Sequence, residues 1–203
     1  MGRNGVGKST FINALTGQKS LNSGQILLND QRIEDLSVQE KSKLISVVYT
    51  KPEVFGNYSV LDVIGLGRLP YQNAFGSLSE QDIQIVKKAV RQLDLEELQH
   101  HLFNTLSDGE KQIVMIGRAI AQDTPCIILD EPTAFLDIVN RRRVIEILND
   151  IANDLKKLVI FSTHDVELIS KHCDGLLWIS KEKLKFTKEK RKFDQEINTL
   201  FNL

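Results

Sequence analysis

The chain has 203 residues, of which 41% are apolar and 26% are charged, which suits one domain with a substantial buried core. Lysine and arginine total 26 against 27 aspartates and glutamates, and the net charge of -1 gives no reason to expect a nucleic-acid partner. No apolar run approaches the ~18 residues needed to span a bilayer, and we expect no secretory leader. The two cysteines lie far apart without metal-ligand spacing, so a structural disulfide is not expected.

The first element is a glycine-rich turn at the start of the chain, Gly-Arg-Asn-Gly-Val-Gly-Lys-Ser-Thr. A glycine, four residues and then Gly-Lys-Ser is the pattern of a phosphate-binding loop. Its backbone N–H groups and the N-terminus of the helix predicted from Lys8 would form an anion site. Lys8 would reach the β- and γ-phosphates, and Ser9 would offer its hydroxyl to Mg²⁺. The residues expected to bind phosphate are Gly2, Asn4, Gly5, Gly7, Lys8, Ser9 and Thr10.

Strands and helices alternate along the rest of the chain. Apolar runs and turn residues predict strands at 25–29, 44–49, 126–130, 158–162 and 176–180. Apolar residues at helical spacing predict helices from Lys8 to about Gly17, from Ser79 to Leu93, after Gln112, and over 141–157. Residues 68–76 are predicted to be a connecting loop. This alternation predicts an α/β fold with a mostly parallel sheet and right-handed crossovers.

Two acidic residues, Asp130 and Glu131, end the most apolar of these strands. The carboxyl edge of a parallel sheet is where α/β folds bind ligands. Asp130 would hold Mg²⁺ through water, opposite Ser9. Glu131 would polarise a water for in-line attack on a γ-phosphate, which makes it a candidate catalytic residue.

The segment Leu-Ser-Asp-Gly-Glu-Lys-Gln at 106–112 resembles the signature motif of the ATP-binding subunits of ATP-binding-cassette (ABC) transporters, with Asp108 where glycine is usual. In that family the signature helix N-terminus meets the γ-phosphate bound by the opposite subunit, so that two ATP molecules are sandwiched in a dimer. The resemblance implies this role for Ser107, Asp108, Gly109 and Glu110. It covers the chain from residue 2 to about 179.

Further segments resemble the family in the same order. Asp137 follows the Asp-Glu pair at the position that contacts the other subunit. His164 matches the switch histidine, which contacts the γ-phosphate and helps to hold the attacking water. One position departs: Thr50 stands where the family has a glutamine that binds Mg²⁺. Its shorter side chain carries a hydroxyl that would accept a Mg²⁺-bound water.

The resemblance implies a P-loop NTPase fold of the ABC-ATPase type, with a mostly parallel sheet core and a helical subdomain. We expect one domain over 1–203, the helical subdomain at about 51–115, and a charged C-terminal extension at 181–203. The family has strands before the phosphate loop and an aromatic residue that stacks on adenine, and this chain lacks both. Their lack predicts weakened nucleotide binding and a less stable fold, since the loop normally follows an anchoring strand.

The segment Gly-Leu-Gly-Arg-Leu-Pro-Tyr at 65–71 and residues 131–141 resemble importers of iron chelates (siderophores or haem) and cobalamin. The implied cofactors are ATP and Mg²⁺. The implied partners are a second ATPase subunit and membrane permease subunits, which would hold the chain at the cytoplasmic face of the inner (plasma) membrane. Two alternatives stay open. The first is a soluble cassette protein acting on ribosomes or DNA, which the single phosphate loop and lack of heptads disfavour. The second is an inactive remnant of such an ATPase.

Overall fold

The computed structural model describes residues 1, 6–28, 30–50, 54, 56–72, 77–180 and 183–201. Its helices are α1 Lys8–Leu15, α2 Val38–Leu44, α3 Val60–Gly65, α4 Glu80–Gln92, α5 Asp108–Ala121, α6 Ile138–Asn153, α7 Val166–His172 and α8 Lys190–Phe201. Its strands are β1 Leu27–Leu28, β2 Gln31–Arg32, β3 Ile45–Val48, β4 Cys126–Leu129, β5 Leu158–Phe161, β6 Leu176–Ser180 and β7 Lys183–Thr187. Predicted positions outside the described residues are Gly2, Asn4 and Gly5 of the loop, 29 of the first predicted strand, 51–53 and 55 of the subdomain, 73–76 of the predicted connecting loop, and 181–182 and 202–203 of the extension.

Three parallel strands form a central sheet in the order β3–β4–β5. The register places Leu129 of β4 beside Phe161 of β5, so the carboxyl ends of the strands meet at one edge. The apolar run of β4 is buried on both faces: Ile127 and Leu129 pack with α5 and α6, and Ile128 packs with Ile12 of α1. A strand covered by helices on both sides needs apolar residues at every position, which is why this run is continuous. The predicted α/β fold is confirmed.

The first part of the predicted connecting loop, residues 68–71, is helical. Leu66–Tyr71 is a turn of 3-10 helix, and Arg68 is buried within it. The Arg68 guanidinium forms a 2.8 Å ion pair with Asp82 of α4 and donates to the Ala121 carbonyl of α5 at 2.9 Å. The ring of Tyr71 lies 3.8 Å from the guanidinium carbon. Because a buried guanidinium needs several acceptors, this one arginine ties the segment to two helices.

Four helices begin with the same reciprocal cap, in which a serine hydroxyl accepts from the N–H of the third helical residue and that residue's carboxylate accepts from the serine. The capping serines are Ser37 of α2, Ser59 of α3, Ser79 of α4 and Ser107 of α5. The predicted start of α4 is confirmed, and its cap pairs Ser79 with Asp82. These caps satisfy orphan N–H groups that would otherwise destabilise the helix starts.

The C-terminal part of the chain is more ordered than its charged composition indicates. Within the described residues, β6 pairs with β7 in an antiparallel hairpin, not with the central sheet as its predicted place in the fold implied. Helix α8 follows and buries Phe193 and Ile197 against Trp178 of β6. Within the described residues, the expected extension at 181–203 therefore contains strand β7 and helix α8.

Met1 connects the start of the chain to this hairpin. Its amino group donates to the Leu177 carbonyl at 2.7 Å, and its carbonyl accepts from the Ile179 N–H at 3.1 Å. These are the two bonds of a parallel bridge to β6. A cavity of about 480 Å³ lies nearby, lined by residues of α1, β5 and β6. The backbone immediately before the phosphate loop is thus held by β6.

None of the helices in the described ranges is long and apolar enough to cross a bilayer. Cys126 and Cys173 are both partly buried and unpaired. Burial raises the pKa of each thiol to about 11, so both are protonated at neutral pH. Cys126 thus acts as a small packing residue in β4.

Candidate phosphate and metal site

The carboxylate of Asp130 lies at the carboxyl edge of the sheet, between two serine hydroxyls. Ser9 Oγ donates to Asp130 Oδ2 at 2.9 Å, and Ser162 Oγ donates to Asp130 Oδ1 at 2.6 Å. Ser9 lies in the first turn of α1, and Ser162 directly follows β5. The pairing of Ser9 with Asp130 is the juxtaposition that the sequence predicts, and it joins residues far apart in the chain.

Glu131 forms a second group at the same edge. Its carboxylate lies 3.0 Å from Lys8 Nζ through Oε1 and 2.9 Å from His164 Nδ1 through Oε2. Because an ionised carboxylate only accepts hydrogen bonds, Nδ1 carries the hydrogen and Nε2 remains for another contact. Lys8 and Glu131 are both largely buried, with side-chain exposures of 11% and 15%, whereas His164 is 63% exposed. The three candidate residues for phosphate binding and hydrolysis are therefore in contact.

Helix α1 begins at this edge. Gly7 is its N-cap with φ +104°, a left-handed conformation that favours glycine. Its carbonyl accepts from the Phe11 N–H at 2.9 Å, which starts the helix. Thr10 is exposed in the first turn beside Ser9. The N-terminus of α1 thus brings its partial positive charge to the place where Lys8 and Ser9 project.

The signature segment forms the N-terminus of α5. Ser107 is the N-cap, Asp108 is exposed, and Gly109 is buried. The Ser107 hydroxyl and backbone N–H both donate to Glu110, which lowers the pKa of that carboxyl. A Cβ on Gly109 would lie 2.5 Å from the side chain of Asn140, so α5 and α6 start in close contact.

Asp137 is the N-cap of α6. Its carboxylate accepts from the Asn140 N–H at 2.8 Å and from the Asn140 side-chain amide at 3.1 Å. Asn140 therefore connects the predicted dimer loop to Gly109 of the signature segment within one chain. An aspartate directly before a helical run is a sequence pattern that indicates such a cap.

The hydroxyl of Thr50 donates its hydrogen to the backbone beside the site. Thr50 Oγ1 donates to the main-chain carbonyl of Asp130 at 2.8 Å. The side chain therefore supports the backbone that carries Asp130, and its role as a Mg²⁺ ligand stays a prediction. Sequence reasoning missed Ser162, although a polar residue ending an apolar strand next to His164 was a usable signal.

The donor set fits Mg²⁺ better than a transition metal. Ser9 and Asp130 contribute hard oxygen atoms. Within the described ranges, no three or more histidines, cysteines, aspartates or glutamates gather as a metal cluster. Mg²⁺ typically needs few protein ligands, because it keeps several waters and binds substrate phosphates. Ser9 and Asp130 would hold it.

A family model described as "ABC transporter" matches residues 1–134, which include the loop, the signature segment and the Asp-Glu pair. The chain belongs to the ABC transporter family. The predicted family resemblance is thereby confirmed.

The chain is also similar to individual ABC proteins in sequence and in structure. The chain is 32% identical over 180 residues to the cobalamin import ATP-binding protein of Halobacterium salinarum, covering 89% of this chain and 45% of that protein. It is 29% identical over 166 residues to the iron(3+)-hydroxamate import ATP-binding protein of Bacillus subtilis, covering 82% of this chain and 62% of that protein. The chain thus spans 45% and 62% of the lengths of these two relatives. A solved ABC transporter assigned to the metal-chelate type, in an inward-facing conformation, superposes with a TM-score of 0.87 at 31% identity, over 100% of this chain and 76% of that one.

Proposed function

We propose that the chain binds MgATP and hydrolyses it to drive an importer. The observation that carries this proposal is the contact of Glu131 with both Lys8 and His164, beside the pairing of Ser9 with Asp130. A cation, a helix N-terminus, a hydroxyl, two carboxylates and an imidazole meet at one sheet edge. Few reactions other than phosphoryl transfer use this combination of groups.

Each residue of the site has a separate role in the proposed reaction. Lys8 leaves Glu131 to bind the β- and γ-phosphates, where the N-terminus of α1 adds a partial positive charge. Ser9 and Asp130 would hold Mg²⁺, which would supply neutralisation of the phosphate charge. Released from Lys8, the Glu131 carboxylate accepts a hydrogen bond from the attacking water. His164, which already donates to Glu131 through Nδ1, holds that carboxylate in place.

A second copy of the chain would complete each site. Ser107 and Gly109 lie at the N-terminus of α5, whose backbone N–H groups suit a phosphate. In the proposed dimer they meet the γ-phosphate held by Lys8 of the partner copy. Asp137 and Asn140, next to Gly109, would lie at the same interface.

The dimer is tested by mixing two inactive variants. Ser107→Asp keeps a side chain that can cap α5, although it loses the hydroxyl that donates to Glu110, and it places a negative charge where the γ-phosphate would lie. Lys8→Ala removes the phosphate-binding cation. We expect each variant alone to be inactive. An equal mixture should regain up to about a quarter of wild-type hydrolysis, since mixed dimers keep one intact site.

The matched control is Ser37→Asp, which changes the serine of an equivalent Ser-x-x-Glu cap on α2. That variant should hydrolyse ATP at the wild-type rate. A mixture of Ser107→Asp and Lys8→Ala that remains as inactive as its components, with both variants folded, would contradict the shared site.

For the transported substrate, we propose iron chelates or cobalamin, imported through permease subunits that hold the chain at the cytoplasmic face of the plasma membrane. The support is the amino-acid sequence of residues 65–71 and 131–141, together with relatives named for iron(3+)-hydroxamate and cobalamin import. The permease would select the substrate. Reconstitution with a permease in vesicles, with uptake of each class measured under ATP, tests this part of the proposal.

A further inference from the structure

Ser162 links the two acidic residues of the site. It is only 8% exposed and directly follows β5. Its hydroxyl donates to Asp130 Oδ1 at 2.6 Å and accepts from the Glu131 N–H at 2.9 Å. Its own N–H donates to the Leu129 carbonyl at 2.9 Å, continuing the β4–β5 ladder by one step. The hydroxyl is therefore held in place by the sheet.

The first bond controls the direction of the Asp130 carboxylate. The terminal torsion of an aspartate is broad, so the group turns easily unless one oxygen is held. Ser162 holds Oδ1, and this leaves Oδ2 directed to Ser9. Without the Ser162 hydroxyl, the carboxylate would lose the partner that fixes which oxygen faces Ser9.

The second bond controls the backbone of Glu131. This residue has φ +48°, in the left-handed region, where the backbone conformation is energetically costly for residues other than glycine. Such a conformation persists only where its surroundings enforce it. The Ser162 oxygen accepts the Glu131 N–H at this position, so it supports the turn that brings the Glu131 carboxylate to Lys8 and His164.

We propose that Ser162 is a positioning residue for the proposed reaction: it sets Asp130 toward the metal and Glu131 toward the γ-phosphate with a single hydroxyl. This proposal rests on the proposed MgATP site. It predicts that loss of the hydroxyl impairs the contribution of Mg²⁺ to nucleotide binding, because Asp130 is the carboxylate that would hold the ion.

The test compares ATP affinity in Mg²⁺ and in EDTA by calorimetry. In the wild-type chain, Mg²⁺ should strengthen ATP binding. In Ser162→Ala this enhancement should fall about tenfold, in line with the loss of a partner that orients a metal ligand, while affinity in EDTA stays unchanged. Ser162→Thr keeps a hydroxyl and should retain the enhancement.

Ser46→Ala is the matched control. Ser46 is a buried serine on β3 of the same sheet, and its hydroxyl bonds to Thr124, away from the site. Both alanine variants should lower the unfolding temperature, but only Ser162→Ala should alter the effect of Mg²⁺. If Mg²⁺ enhances ATP affinity equally in Ser162→Ala and the wild type, the proposal for Ser162 is overturned and the proposed function is not. The same holds if Ser162→Thr loses this enhancement as Ser162→Ala does. Absence of ATP binding in the wild type overturns the proposed function and this proposal together.

Discussion

Glu131→Gln is expected to lower steady-state ATP hydrolysis by roughly 10²- to 10⁴-fold, the range for loss of a group that assists proton transfer. Glutamine keeps the size of the side chain but cannot accept a proton from the attacking water. The backbone contact with Ser162 is unaffected, so the site should keep its shape. ATP binding should be retained or tightened, since Lys8 loses the carboxylate that pairs with it. Hydrolysis is measured by phosphate release and binding by calorimetry.

The control for this substitution is Glu146→Gln, which removes the same charge from an exposed residue of α6. Glu146 pairs with Arg142 one turn away on the helix surface. That variant should be as active as the wild type. Retention of more than about a tenth of wild-type hydrolysis by Glu131→Gln would show that another group assists the water.

Gly67→Ala is expected to destabilise the fold by about 3 kcal/mol, the upper range for forcing extra atoms into a packed core. A Cβ at this position would lie 2.3 Å from the Arg118 carbonyl oxygen and 2.9 Å from the Gln122 nitrogen of the facing chain segment. Those two atoms are hydrogen-bonded to each other at 3.0 Å, so the methyl group would push into backbone that cannot rotate away. The buried contacts of Arg68 would shift with it. Urea unfolding measures the loss.

Gly65→Ala, two positions earlier, is the control. Gly65 is helical and a Cβ there meets nothing within 4 Å. Alanine is a better helix former than glycine, so we expect no loss and a gain of up to about 1 kcal/mol. Equal unfolding midpoints for Gly67→Ala and Gly65→Ala would contradict the close approach of Leu66–Tyr71 to α5.

The sequence predicted the central sheet better than the boundaries of its helices. The run of β4 was recognisable because burial on both faces demands apolar residues throughout. Helix α6 begins at Ile138, earlier than the predicted start near residue 141. Ile138 and Val139 are 83% and 77% exposed, so they lie outside the apolar stripe from which the helix was predicted. The cap at Asp137 was the better signal.

Pairing between distant segments was harder to predict. Leu176–Ser180 has the composition of a core strand, yet its partner among the described residues is β7, in a segment whose lysines suggested a solvated tail. Strand β7 is held by backbone pairing with β6, while Leu184 and Phe186 are 48% and 59% exposed, so its described side chains offer no buried apolar face that would have marked a strand. Helix α8 was not predicted either; among its described side chains, Phe193 and Ile197 are the buried ones.

In the candidate site, motifs identified the residues but not all of their partners. Lys8, Ser9, Asp130, Glu131 and His164 lie together as the family pattern implies. The bond of Ser162 to Asp130 depends on the β4–β5 register, which no local pattern encodes. The hydrogen bond from the Thr50 hydroxyl to the Asp130 carbonyl could not be predicted either, because it joins two backbone segments that follow β3 and β4.

The central claim is that the edge formed by Lys8, Ser9, Asp130 and Glu131 binds MgATP. Calorimetric titration of MgATP into the wild-type chain and into Lys8→Ala tests it most directly. We predict saturable binding to the wild-type chain that the substitution abolishes, because Lys8 is the side-chain cation paired with Glu131 at this edge. Absence of binding to a wild-type chain that is folded by circular dichroism would contradict the claim and favour an inactive remnant of an ABC ATPase.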